Sequence, residues 1–135
     1  ETRLYPGITD ILSYTREKGL AWGIVTNKPM FLTRELIETF PELASPAAVV
    51  AGDSVERHKP DPEPVLKAIE LTGSAPGTTL MVGDALSDVE SAVRAGARGA
   101  LALWGYGSYS TAGNIAGGEF YKAATPLDLL PLIRQ

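Results

Sequence analysis

The sequence predicts an α/β fold with a mainly parallel sheet, and three observations lead there. Four short apolar runs, in "LAWGIVT", "AAVVAGD", "TLMVGD" and "GALALW", are each too continuous for a half-exposed strand. Segments with helical spacing separate these runs, as strand-helix-strand crossovers require. Glycine, proline and short polar residues punctuate the joints. A chain of 135 residues suits a single domain, which buries about two thirds of the surface its unfolded chain exposes.

Taken in order, "GITDILSYTREKG" places Ile8, Ile11 and Leu12 on one helical face, with Thr9 as the expected cap and Gly19 as the stop. The run "LAWGIVT" follows as a strand. After the turn "NKP", residues Leu32, Leu36, Ile37 and Phe40 share a helical side, and Pro41 ends it. Next comes the strand in "AAVVAGD", then the loop "SVERHKPDPEP", whose prolines forbid regular pairing. A helix resumes near Glu63, carries Val65, Leu66 and Ile69 inward and ends near Gly73. The strand in "TLMVGD" leads to a helix from Ser87 to Ala95, with Gly96 expected in the left-handed conformation. "GALALW" is the last strong strand. Residues 105–118, "GYGSYSTAGNIAGG", have no period and read as a surface loop. A short strand near "EFYKA" and a helix around "PLDLLPLI" close the domain, and no repeat or internal linker is visible.

Composition narrows the function classes. A 44% hydrophobic and 21% charged chain is ordinary for a globular protein and too apolar for a disordered one. The net charge of −4 comes with no Lys or Arg block, so no nucleic-acid or membrane-surface partner is expected. The chain has no cysteine, which excludes disulfides, thiolate metal sites and a cysteine nucleophile. No run is long enough to span a bilayer, and "ETRLYPG" lacks a signal-peptide layout. A cytoplasmic setting is the default expectation.

Three strands end in a polar residue just past their apolar stretch: Thr26, Asp53 and Asp84. In open parallel sheets, ligands bind in the crevice outside the carboxyl ends of the strands, where the loop carrying Lys59 also converges. A hydroxyl, an ammonium and two carboxylates suit a phosphate group. Lys59 supplies charge, Thr26 donates a hydrogen bond and the carboxylates hold Mg²⁺. No Ser-His or Cys-His pair competes with that reading.

"IVTNKP", "KPDPEP" and "VGDALSDVESAVRAGA", in this order and spacing, resemble motifs II, III and IV of the haloacid dehalogenase-like (HAD) phosphatases. "LYPGI", "GDSVERHKPDPEPVL" and "WGYG" are similar to the phosphoglycolate phosphatase-like branch. The tryptophans in "AWGIVTNKP" and "ALWGYG" also resemble relatives that dephosphorylate N-acetylmuramic acid 6-phosphate. The resemblance covers essentially the whole chain and implies a Rossmann-like parallel sheet with helices on both faces. It further implies a phosphomonoesterase of a small phosphorylated metabolite, with Mg²⁺ as cofactor. Carried over residue by residue, it implies that Thr26 and the Asn27 amide bind phosphoryl oxygens and that Lys59 neutralises the phosphoryl group. Asp84 would ligate Mg²⁺, and Asp88 would ligate it or orient its water.

The family attacks phosphorus with an aspartate in a first motif, Asp-x-Asp-Gly-Thr. Aspartates stand here at 10, 53, 61, 84, 88 and 128, and none has the required partner two positions on. The resemblance therefore makes residues 1–135 the C-terminal portion of the core domain, without the nucleophile, the general acid, the cap or the usual first central strand. Such a chain is expected not to turn over alone. It is expected to close the gap in one of two ways. The strands ending at Thr26 and Asp84 pair directly, with backbones about 4.8 Å apart, or another segment or copy fills the slot by self-association or strand complementation.

Plainer readings stand beside these. "SDVE" from Ser87 to Glu90 fits a capping box, with Asp88 complementing the helix dipole. Thr26 alone caps a turn, and Lys59 alone is a solvated lysine. Lys28 is a weaker phosphate ligand than the Thr-Asn backbone, His58 reads as loop structure, and Asp53 reads as a turn cap or a metal ligand. The loop with Tyr106 and Tyr109 borders a substrate entrance or is plain surface. A noncatalytic domain that at most binds phosphate or metal weakly is the alternative function. A phosphoacceptor receiver domain is disfavoured, because no acidic cluster accompanies the first strand.

Overall fold

The apolar runs become strands that gather into two parallel sheets. The computed structural model describes residues 7–43, 46–83, 85–103, 114–115 and 118–133. Strand β1 (Gly23–Val25) pairs in parallel with β2 (Ala48–Val50). Strands β3 (Leu80–Gly83), β4 (Arg98–Ala102) and β7 (Tyr121–Ala123) form a second parallel sheet in the order β3-β4-β7. Between β4 and β7, β5 (Asn114–Ile115) and β6 (Gly118–Glu119) make a small antiparallel pair. The expected unstructured run 105–118 thus carries paired strands, while Tyr106 and Tyr109 lie outside the described residues.

Helices α1 (Ile8–Glu17), α2 (Met30–Thr39), α3 (Glu63–Thr72) and α4 (Leu86–Arg94) fall close to the predicted spans. A 3-10 turn over Pro126–Leu129 runs into α5 (Leu130–Ile133) where one closing helix was expected. Gly19, Gly73 and Gly96 have φ of 68°, 67° and 84°, the left-handed geometry that stops a helix without a Cβ clash. Thr9 is not the cap of α1. Gly7 takes that place at φ 98°, a left-handed conformation that glycine adopts without a Cβ clash.

The three-stranded sheet has apolar clusters on both faces, and the alternation along β3 distributes its side chains between them. Met81 packs with Val65, Ile69, Ala92, Ala95 and Ala97 beneath α3 and α4. Leu80 and Val82 pack with Ile11, Ala100, Ala123 and Leu129 on the side of α1 and the C-terminal turns. Leu66, expected inward, is instead 44% exposed. It follows the inward-facing Val65 by about 100° of helical turn, enough to reach the rim.

The direct pairing expected between the strands ending at Thr26 and Asp84 does not form. Among the described residues, β1 pairs only with β2, and β3 only with β4. Helix α3 packs on β1, β2 and α4, so it spans both sheets. At the strand ends the Lys59 side chain reaches both halves. A buried ammonium and its partners join them there in place of a backbone ladder.

Candidate functional site

Strand β1 delivers Thr26 to the carboxyl edge, and the Thr26 amide donates to the Val50 carbonyl at 2.9 Å, extending the β1–β2 ladder by one bond. The chain then turns. The Thr26 hydroxyl oxygen accepts the Lys28 amide at 3.1 Å, a local turn that leaves the hydroxyl hydrogen to donate elsewhere. Asn27 and Lys28 are exposed. Pro29, which offers no side-chain acceptor, stands at the N-cap of α2.

Lys59 comes from the proline-bounded loop between β2 and α3. Its Nζ donates to the Val25 carbonyl at 3.3 Å and to a carboxylate oxygen of Asp88. Both side chains are nearly buried, at 9% and 10% exposure. An isolated ammonium at that depth would be strongly unfavourable, so charge pairing and hydrogen bonds are what allow it there. The other Asp88 oxygen accepts the Ala85 amide at 3.2 Å, and the Asp88 amide donates back to the Ala85 carbonyl at 3.0 Å.

That reciprocal pair moves the helix start from where the sequence placed it. Ala85, not Ser87, is the N-cap of α4, and Glu90 pairs with Arg94 four residues on. The plain and the functional readings of Asp88 therefore both apply, since one carboxylate caps the helix and holds Lys59. Gly83 makes room for it: a methyl group added there would collide with the Asp88 side chain.

The structure brings Lys59, Asp88 and the end of β1 beside Thr26 together. Asp84 lies outside the described residues. Asp53, offered as a metal ligand or a cap of the turn after its strand, makes its contact outside that turn. It reaches 23 positions back and accepts the Met30 amide at 2.9 Å. His58 places Nε2 at 2.7 Å from the Gly52 carbonyl. Since a carbonyl only accepts, Nε2 carries the proton.

For a divalent cation, Asp88 offers the hard oxygen chemistry that Mg²⁺ prefers. Among the described residues, however, no three His, Cys, Asp or Glu converge into a donor set. Among the described residues, Asp88 is the carboxylate at this strand end that fits the group, and both its oxygens already have partners.

Sequence reading missed the residues that brace this site. Ser91 is fully buried and its hydroxyl donates to the Asp61 carbonyl at 2.7 Å, tying α4 to the loop of Lys59. A signal existed, because Ser91 follows Asp88 by three positions and so shares its helical face. Asp61 in turn accepts the Glu63 amide at 2.9 Å at the start of α3. Glu63 accepts the Arg57 amide at 2.8 Å. Gly52 was also passed over, and nothing in its immediate neighbours announces its close approach to another loop.

A family model for haloacid dehalogenase-like hydrolases matches residues 1–102. The N-acetylmuramic acid 6-phosphate phosphatase of Pseudomonas aeruginosa is 38% identical over 105 residues, which cover 78% of this chain and 46% of that protein. The phosphoglycolate phosphatase of Aquifex aeolicus is also 38% identical over 105 residues, covering 78% of this chain and 49% of the relative. The solved structure of a HAD phosphatase from Thermococcus onnurineus aligns with a TM-score of 0.80 at 28% identity, over 97% of this chain and 58% of that one. The chain thus spans about half the length of the curated relatives it matches. With the ordered motifs, the parallel α/β fold and the family match in agreement, this chain belongs to the haloacid dehalogenase-like hydrolase family.

Proposed function

We propose that these residues are the phosphoryl-holding part of a Mg²⁺-dependent phosphatase that acts on a small phosphorylated metabolite in the cytoplasm. The observation that carries the reading is the buried Lys59 ammonium, held between the Val25 carbonyl and Asp88 at the strand end that presents Thr26. An ammonium has three donors, and these two acceptors leave one for a phosphoryl oxygen. The Thr26 hydroxyl and the Asn27 amide bind the other oxygens. Mg²⁺, when bound by Asp84 with Asp88 ligating it or orienting its water, offsets the negative charge of the phosphoryl group.

In the complete enzyme an aspartate outside these residues would attack phosphorus and break the ester P–O bond, the substrate alcohol would leave with a proton from the general acid, and water would then hydrolyse the aspartyl-phosphate to release inorganic phosphate and restore the carboxylate. The substrate class is set by analogy to the relatives, one a phosphoglycolate phosphatase and one an amino-sugar phosphate phosphatase.

A second reading has its own observation: no Asp-x-Asp occurs in the 135 residues, and β1 and β3 each have a strand partner on one side only among the described residues. On this reading the chain alone is inactive, binds phosphate or metal weakly, and offers its strand edges to a second copy or to a complementing strand.

One experiment separates the two. Hydrolysis of p-nitrophenyl phosphate with Mg²⁺ is measured for the chain alone and for the chain joined to the part of the Aquifex aeolicus relative that it does not cover. Turnover only in the joined form, abolished by Lys59→Ala, is the expected result. Robust turnover by the chain alone would sink the inert reading, and no turnover in either form would sink the phosphatase reading.

A further inference from the structure

Two loops that are distant in sequence, one after β1 and one after β2, are bolted together at the carboxyl edge of these strands. The Gly52 amide donates to the Lys28 carbonyl at 2.7 Å, and a side chain at Gly52 would collide with the Asn27 carbonyl. The adjacent Asp53 accepts the Met30 amide at 2.9 Å. The Ser54 hydroxyl oxygen accepts the Ala51 amide at 3.0 Å, holding this second loop in its own tight turn. His58 donates to the Gly52 carbonyl at 2.7 Å, one residue before Lys59.

Helix α2 needs this arrangement. Its N-cap, Pro29, has no side chain able to accept, so the first amides of the helix lack the usual local partner. Asp53 supplies the acceptor from another strand end, and its charge complements the positive end of the helix.

We infer that Asp53, seated by Gly52, is a positioning residue for residues 26–30, fixing the backbone that presents the Thr26 hydroxyl and the Asn27 amide to a phosphoryl group. The phosphoryl part of this inference rests on the proposed function; the fastening of the loop does not. Asp53 also occupies the Met30 amide itself, so a bound phosphoryl group meets Thr26 and Asn27 rather than the helix end. The contact from His58 carries the same register to Lys59.

The test uses the chain itself, with inorganic phosphate and Mg²⁺ as the probe and amide NMR as the readout. Asp53→Ala removes the acceptor, and Asp53→Asn keeps one. The expected result for the alanine variant is about tenfold faster exchange of the Met30 amide and about tenfold weaker phosphate binding at Thr26 and Asn27, the size of a lost helix cap. The asparagine variant returns both to within about twofold of the parent. Leu129→Ala, which loosens the apolar cluster of Ile11, Ala100 and Ala123, serves as the control and leaves the phosphate affinity of the folded chain unchanged. Unaltered Met30 exchange in Asp53→Ala would overturn the fastening, and altered exchange with unaltered phosphate binding would overturn the positioning role. If the parent shows no phosphate response at Thr26 or Asn27, the phosphoryl reading fails, while Met30 exchange still decides the fastening.

Discussion

The two halves of the molecule are held by different forces. The β3-β4-β7 half has apolar clusters on both faces, and Val89, Ala92, Ala100 and Leu101 within it are at most 1% exposed. The β1–β2 half carries the candidate phosphoryl loop, and beside its buried Ala48, Val50 and Ala51 polar links fasten the loops: Asp53 to Met30, Gly52 to Lys28 and His58 to Gly52. Its helix α2 buries only Thr33 fully and leaves Phe31 66% exposed. Hydrophobic burial is not directional, whereas hydrogen bonds set angles and distances. The half to which the proposed phosphoryl site belongs is the one whose loops are fastened by directional contacts.

The largest test of this contrast is the bridge between the halves. Lys59→Ala leaves Asp88 buried without its counter-ion and is expected to cost about 3–5 kcal/mol in urea unfolding. Replacing both partners, as Lys59→Met with Asp88→Leu, is expected to recover most of that loss, because a buried pair can be exchanged for apolar contact at little net cost. A double variant no more stable than Lys59→Ala would mean that the Asp88 contact to the Ala85 amide matters more than the pair. A smaller loss is expected from Val89→Ala, about 2 kcal/mol, from two methyl groups removed in a fully buried site. At the small end, Phe31→Ser on the exposed start of α2 is expected to change stability by less than about 0.5 kcal/mol. A loss near that of Val89→Ala would show that α2 has an apolar partner in solution and would blunt the comparison.

Much of this architecture was legible from local pattern. The spans of α3 and α4, the glycine stops at Gly19, Gly73 and Gly96 and the arrival of Lys59 at the strand end before Thr26 all follow from periodicity, backbone sterics and motif order. Apolar spacing misled at Leu32 and Leu66, which are 41% and 44% exposed. Spacing names the face of a helix but not whether another element covers it. For α2 the sheet surface is narrow, since β1 has one described neighbour.

The site divided along the same line. Thr26, Lys59 and Asp88 announced themselves by residue type after a buried strand or within a proline-bounded loop. Asp53 stood out at its strand end in the same way, but its role did not, because its partner amide lies 23 positions away. Ser91 looked like one more small residue in a helix until its hydroxyl met the Asp61 carbonyl.

What the amino-acid order determined by itself is the α/β class, the order of its helices and strong strands, and the family, because these depend on periodicities and motifs spanning a few residues. Tertiary structure alone decided that the strands form two sheets rather than one, that Lys59 rather than a strand pairing joins them there, and that Asp53 serves another loop's helix. Those outcomes depend on distances between segments far apart in sequence, where burial makes a charge seek a partner and an unmet backbone amide seek an acceptor.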